Sequence, residues 1–277
     1  MANSHGRFVW YVLMTTDVEA AKEFYTKVVG WGARDASMPG LPYFVFSAGE
    51  VPIGGVMGLP KELGSMDKRP GWIGYVKVDD VDATADRIKQ LGGDVHVRPQ
   101  DILDVSRFSV VADPQTATLA LFNWLKPSPD QPVDLRARGR VGWHELYATD
   151  WEKAWGFYSE LFGWQKAEAD SSAMGTYQLF SAGGQTIGGM YTKPPMVPVP
   201  FWLYYFNVGD IDAAVRRVKA GNGQILKGPS EVPGGNWIVQ CTDPQGAIFA
   251  LVGNNSIGYF ERAPRPAAKP VRPPPSS

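Results

Sequence analysis

The pairing in this chain most suggestive of metal or acid–base chemistry is a histidine followed at once by a carboxylate, His144-Glu145, within GRVGWHELYATD at residues 139–150. A near copy, GRFVWYVLMTTD, occupies residues 6–17 and carries Tyr11 and Val12 at the matching places. Both stretches read as β-strands leading to a helix-capping Asp, and side chains on a strand alternate between its two faces. His144 and Glu145 therefore point apart and cannot serve one site. Trp143, Glu145 and Tyr147 share one face, as do Trp10, Val12 and Met14 in the first copy.

The strands that carry these residues belong to an internal repeat. Residues 8–124 align with 141–253 almost without gaps: FYTKVVGW (24–31) matches FYSELFGW (157–164), and FSAGEVPIGGVM (46–57) matches FSAGGQTIGGMY (180–191). VDDVDATADRIK (78–89) matches VGDIDAAVRRVK (208–219), and ADPQTATLALF (112–122) matches TDPQGAIFALV (242–252). Each copy divides again into two units of about 55 residues. The first unit reads as an alternating strand, then a helix capped by Asp17 whose apolar face is Ala21, Phe24, Tyr25 and Val28, ended by Gly30. Strands at 31–36, 43–49 and 52–58 follow. The second unit repeats the plan, with a helix over 81–91 and strands near 94–98, 107–112 and 117–123. The expected organisation is a first module at 1–124, a polar, Pro-containing linker at 125–140, a second module at 141–254 and a Pro-rich, disordered tail at 255–277.

Composition narrows the function classes. A formal net charge of -1 gives no field to recruit nucleic acid or an anionic membrane. The single cysteine, Cys241, cannot pair within the chain and reads as a buried strand thiol. The start, MANSHGRF, lacks a basic, apolar leader, and no apolar run approaches the roughly 20 residues of a membrane span, so a soluble cytoplasmic protein is expected. No phosphate-binding loop, nucleophile elbow or CxxC pattern is present.

Paired βαβββ units, the helix motif FYxxxxGW, a glycine-bearing fourth strand and DPxGxxxxL before the last strand together resemble the vicinal oxygen chelate superfamily of glyoxalases, bleomycin resistance proteins and extradiol dioxygenases. The resemblance implies an α+β fold of four βαβββ units in two modules, each a curled eight-stranded mixed sheet, or cup, with helices packed outside. In metal-dependent members four strands each supply one His, Gln or Glu ligand inside the cup. Carried onto this chain, those positions fall on Trp10 and Trp143, within IGGVM (53–57) and IGGMY (187–191), on Ile73 and Leu203, and on Ala120 and Ala250. None offers a ligand, so no metal and no other cofactor is expected.

What remains is an aromatic cup with polar handles. The ligand-binding candidates are Trp10, Met14, Tyr75, Lys77 and Arg107 in the first module and Trp143, Tyr205, Asn207 and Trp237 in the second, with Lys77 and Asn207 at the cup mouths and Arg107 and Trp237 as caps. Glu145, assisted by Tyr147, is the catalytic candidate, because a carboxylate among aromatic rings is held ready to take a proton. The expectation is a protein that binds a small organic, aromatic ligand, as a monomer or homodimer. The alternatives are a metal-independent enzyme using Glu145, a metal-dependent glyoxalase-like lyase or dioxygenase, and a purely structural or interaction role.

Overall fold

In the computed structural model, residues 4–60, 69–103, 105–126, 134–172 and 175–255 are described. Part of the linker (127–133) and the tail from 256 onward lie outside them, so the expectation of a disordered tail does too. The first module runs β1 (Phe8–Thr15), α1 (Val18–Val29), β2 (Gly32–Asp35), β3 (Tyr43–Ala48), β4 (Val51–Gly58), then β5 (Gly71–Lys77), α2 (Val81–Gln90), β6 (Asp94–Ile102), β7 (Ser106–Ala112) and β8 (Thr118–Trp124). The second repeats it as β9 (Val141–Ala148), α3 (Trp151–Phe162), β10 (Gln165–Ser172), β11 (Gly175–Ala182), β12 (Gln185–Thr192), β13 (Phe201–Asp210), α4 (Ile211–Ala220), β14 (Gln224–Glu231), β15 (Trp237–Thr242) and β16 (Ile248–Asn254).

Each module forms one eight-stranded mixed sheet, in the order β2-β3-β4-β1-β5-β8-β7-β6 and its counterpart β10-β11-β12-β9-β13-β16-β15-β14. The two βαβββ units of a module join through the antiparallel pairing of β1 with β5, and of β9 with β13.

All four helices among the described residues begin at an aspartate, Asp17, Asp80, Asp150 or Asp210, whose carboxylate accepts from a backbone N–H of the first turn. Such a cap contributes about 1 kcal/mol by satisfying a donor that has no partner within the helix. Gly30 ends α1 at φ 86°, in the left-handed region that favours glycine. The expected stripe of Ala21, Phe24, Tyr25 and Val28 is buried, together with Val29.

The helices lie outside the cups but inside the molecule, where they and the convex sheet faces form one core shared by both modules. The packing is reciprocal. The Tyr25 hydroxyl donates to Asp243 (3.1 Å), and that of Tyr158 donates to Asp113 (2.9 Å). Trp31 Nε1 donates to the Gly139 carbonyl (2.7 Å), and Trp164 Nε1 to that of Gly6 (2.6 Å). Each bond joins one module to the other and is matched by a bond between the equivalent residues in reverse, so the duplicated modules face one another across a pseudo-twofold axis. Cys241 is buried on β15, and burial pushes its thiol up to about 12.

Candidate functional site

β9 divides its side chains as the alternation requires. His144 is 1% exposed and packs at the module interface, its ring stacked on Phe8 at 4.2 Å. Its Nδ1 lies 2.7 Å from the Ile187 carbonyl, which can only accept, so that nitrogen carries the proton. Nε2 then accepts from the Tyr11 hydroxyl at 2.6 Å. With both ring nitrogens engaged and burial driving its pKa down to about 4, His144 is a neutral structural group.

Glu145 points into the second cup, 8% exposed. Its Oε1 accepts from the Tyr177 hydroxyl (2.9 Å) and its Oε2 from that of Tyr205 (2.8 Å). Trp143 Nε1 donates to Tyr177 Oη (2.8 Å), and Gln240 Nε2 donates to the hydroxyls of Tyr147 (2.8 Å) and Tyr205 (3.1 Å). The rings of Tyr147 and Tyr191 lie beside one another on the same wall, their centroids 4.8 Å apart.

Burial raises the Glu145 pKa above the ordinary glutamate range. The bonds from Tyr205, Tyr177 and Tyr147 and the charge of Lys227 oppose that rise. Burial, reinforced by the charge of Glu145, pushes the Tyr147 phenol up to about 12 and raises Tyr177 and Tyr205 as well. All three phenols stay protonated near neutral pH and act as donors.

Glycine makes room for part of this arrangement. A Cβ on Gly189 of β12 would lie 2.3 Å from the Tyr177 ring, so only glycine lets that ring lie across the strand. Gly55 does the same for Tyr43 in the first module.

The two cups share a backbone but differ in chemistry. Tyr43 and Tyr75 in the first correspond to Tyr177 and Tyr205 in the second. At five other inward positions an apolar residue of the first cup faces a polar or amphipathic counterpart in the second: Val12 with Glu145, Met14 with Tyr147, Met57 with Tyr191, Val97 with Lys227 and Val110 with Gln240. The first cup is an apolar cluster into which Trp10, Met14 and Tyr75 pack. The second encloses a cavity of about 150 Å³ lined by Glu145, Tyr147, Tyr177, Tyr191, Tyr205, Lys227, Ile238 and Gln240.

Four of the expected ligand-binding residues are placed otherwise. On β7, Phe108 and Val110 face the cup, because they pair directly with Phe122 and Ala120. Arg107 therefore faces the other way. It binds both carboxylate oxygens of Asp82 at 2.6 and 2.8 Å and Asp101 at 2.7 Å. Trp237 is likewise one residue out of step with Ile238 and Gln240 and packs against the shared core. Asn207 Nδ2 donates to the carbonyls of Leu135 and Ala137, tying down the linker, and Lys77 Nζ reaches Ser4 in the segment entering β1. Trp143 and Tyr205 do join Glu145 and Tyr147. Of the cavity residues missed from the sequence, Tyr191, Lys227 and Gln240 carry one signal, a column-by-column comparison of the two repeats at inward-facing positions, whereas Tyr177, matched by Tyr43, and Ile238, matched by Phe108, carry none.

The metal positions that the resemblance implies were tested against this geometry. Trp143, Leu203 and Ala250 face the second cup, and Tyr205 and Leu203 pair with the residues expected of that register, but none carries a ligating atom. Glu145 is the carboxylate in the cup, and phenols take both its oxygens. No group of three or more His, Cys, Asp or Glu side chains able to hold a metal occurs among the described residues. The residues present do not fit the family ion.

A second, larger cleft of about 810 Å³ lies between the modules and is lined from both of them. Tyr147 and Gln240 border this cleft as well as the small cavity, so the polar cup and the cleft share a wall.

Two tandem α+β modules, each curling an eight-stranded mixed sheet around an inward-facing site, define a class of duplicated cup proteins. The chain belongs to the Glyoxalase/Bleomycin resistance protein/Dioxygenase superfamily, whose family model matches residues 7–121 and 140–251. It is 33% identical over 254 residues to "Putative glyoxylase CFP32" of Mycobacterium tuberculosis, covering 88% of this chain and 93% of that protein. It is 32% identical over 260 residues to "Anthracycline biosynthesis protein DauV" of Streptomyces sp., covering 89% of this chain and 93% of the relative. Among solved structures, the 2,3-dioxygenase LapB of Pseudomonas sp. KL28 shares the fold at TM-score 0.62 and 13% identity, over 97% of this chain and 98% of that one. A Mn(II)-bound glyoxalase of Novosphingobium aromaticivorans does so at TM-score 0.58 and 16% identity, over 90% and 82%. Among the described residues no helix is long and apolar enough to cross a membrane.

Proposed function

We propose that the protein is a cytoplasmic small-molecule-binding protein whose working site is the second cup, with Glu145 holding a hydroxyl or other acidic hydrogen of an aromatic ligand. The observation that carries this is the contrast between the repeats. Five inward positions that are apolar in the first cup are polar or amphipathic in the second, and they converge on one buried carboxylate. Stability alone does not ask for this, since a buried carboxylate costs more than the valine its counterpart carries. A cavity of about 150 Å³ has room for a single ring, as an engineered cavity of similar volume binds benzene. The relative named for anthracycline biosynthesis supports an aromatic ligand.

The buried carboxylate, with its pKa raised, favours a second reading, proton-transfer catalysis. In it Glu145 takes a proton from one atom of the bound molecule and returns it to another, while the Tyr177 and Tyr205 hydroxyls hold the carboxylate in place. No step passes through a metal.

Titration calorimetry with phenol tests the binding reading. Wild type binds, and Glu145→Gln, which keeps the volume and removes the charge, loses about tenfold or more in affinity. Equal affinity of the two proteins would remove Glu145 from the site.

A further inference from the structure

We infer that the cleft between the modules is the second half of this binding site and takes the planar, mainly apolar body of a ligand whose single-ring polar head reaches Glu145. The inference rests on the reading of the second cup given above and deepens it by assigning the ligand's size and shape.

Three observations carry it. First, the small cavity and the cleft adjoin: Tyr147 and Gln240, bonded to one another at 2.8 Å, line both. Only this pair of side chains stands between a ligand head held in the cup and the cleft. Second, the volumes divide unevenly. About 150 Å³ holds one ring, whereas about 810 Å³ lies within the range that ligand pockets occupy.

Third, the cleft wall contributed by the second module exposes apolar surface. Met196 is 80% exposed, Leu226 52%, Val199 41% and Ile248 40%, and all four line this one cleft. Large apolar side chains left in water and gathered along a cleft mark a binding surface. At the junction with the cup, Phe201 stacks on Tyr147 with ring centroids 4.6 Å apart and planes 14° from parallel. That stack sets an aromatic floor along which a fused-ring body can continue. The opposite wall, from the first module, mixes apolar Met14, Leu59 and Ile73 with polar Asp94 and Thr118. The implied ligand class is a fused-ring aromatic compound with a hydroxyl at one end.

The test compares two probes on the intact protein, phenol as the head alone and 2-hydroxyanthraquinone as head plus fused-ring body. Wild type is expected to bind the anthraquinone at least about tenfold more tightly than phenol. Ile248→Lys and Leu226→Lys, substitutions at exposed positions of the cleft wall, are expected to collapse that ratio toward one while thermal melts stay at the wild-type temperature. Glu145→Gln is expected to weaken both probes. A wild-type ratio near one, or a ratio untouched by both lysine variants, overturns the cleft assignment while phenol binding still supports the cup. Failure of both probes to bind overturns the cup reading and the cleft inference with it.

Discussion

Tyr11 and His144 occupy the same position in the two repeats, and they meet across the module interface in a 2.6 Å hydrogen bond. The duplicated strand pair β1 and β9 thus touches itself at the pseudo-twofold axis, and the histidine that looks catalytic in sequence is the donor–acceptor hinge of the core.

This contact predicts an acid-labile interface. The folded-state pKa of His144 is pushed down to about 4 from an ordinary value of 6.5, so the unfolded chain binds the proton first. The stabilisation is present above pH 6.5 and is lost as pH falls toward 4, by about 3 kcal/mol in all. Asp113, Asp243 and Glu145, whose pKa values burial raises, oppose the effect on acidification, so a difference measurement is needed. Denaturant unfolding of wild type and His144→Gln at pH 7 and pH 4.5 should show the wild type losing more. Parallel losses would contradict the neutral, buried assignment.

Removing a phenol from the carboxylate should move its titration. Tyr205→Phe deletes a donor to Glu145 Oε2, and since that bond favours the ionised form, the carboxyl titrates at higher pH in the variant. Carbon-13 shifts of the labelled glutamate carboxyl follow this directly. If Glu145 is a base, activity in the variant also appears at higher pH. A midpoint that stays put or falls would break the network described here.

The first cup should matter for stability and not for phenol binding. Phe122, 6% exposed within its apolar cluster, is expected to cost about 3–5 kcal/mol when cut back to alanine. Phenol affinity, measured at a temperature where the variant is folded, should match wild type. A loss of affinity comparable to that of Glu145→Gln would mean that both cups bind.

Reciprocal packing should give reciprocal energetics. Tyr25→Phe strips a donor from Asp243 and an acceptor from Trp72 Nε1, and Tyr158→Phe does the same to Asp113 and Trp202. Each is expected to destabilise by about 1–3 kcal/mol, with the two values similar. A large effect from one and none from the other would show that only one of the two interface bonds is stabilising.

Much of this was legible in the sequence because it depends on periodicity. The alignment of FYTKVVGW with FYSELFGW exposes the duplication, the spacing of Ala21, Phe24, Tyr25 and Val28 marks the buried helix face, and strand alternation separates Glu145 from His144. The absence of ligating side chains at Trp143, Leu203 and Ala250 needs only residue identity. Tertiary structure alone decided what depends on pairing between distant strands. Alternation orders the faces of β7 and β15 but does not say which face is the concave one, and a one-residue offset sent Arg107 to Asp82 and Trp237 into the core. Register shifts in β14 on both sides of Lys227 place that residue opposite Gln240, which no count along the chain anticipates. The shell of Tyr177, Tyr205 and Gln240 around Glu145 is drawn from strands 32 to 95 residues further along the chain, brought together only when the sheet curls. Sequence patterns report local geometry, whereas a buried site is an agreement among segments that become neighbours only in the folded chain.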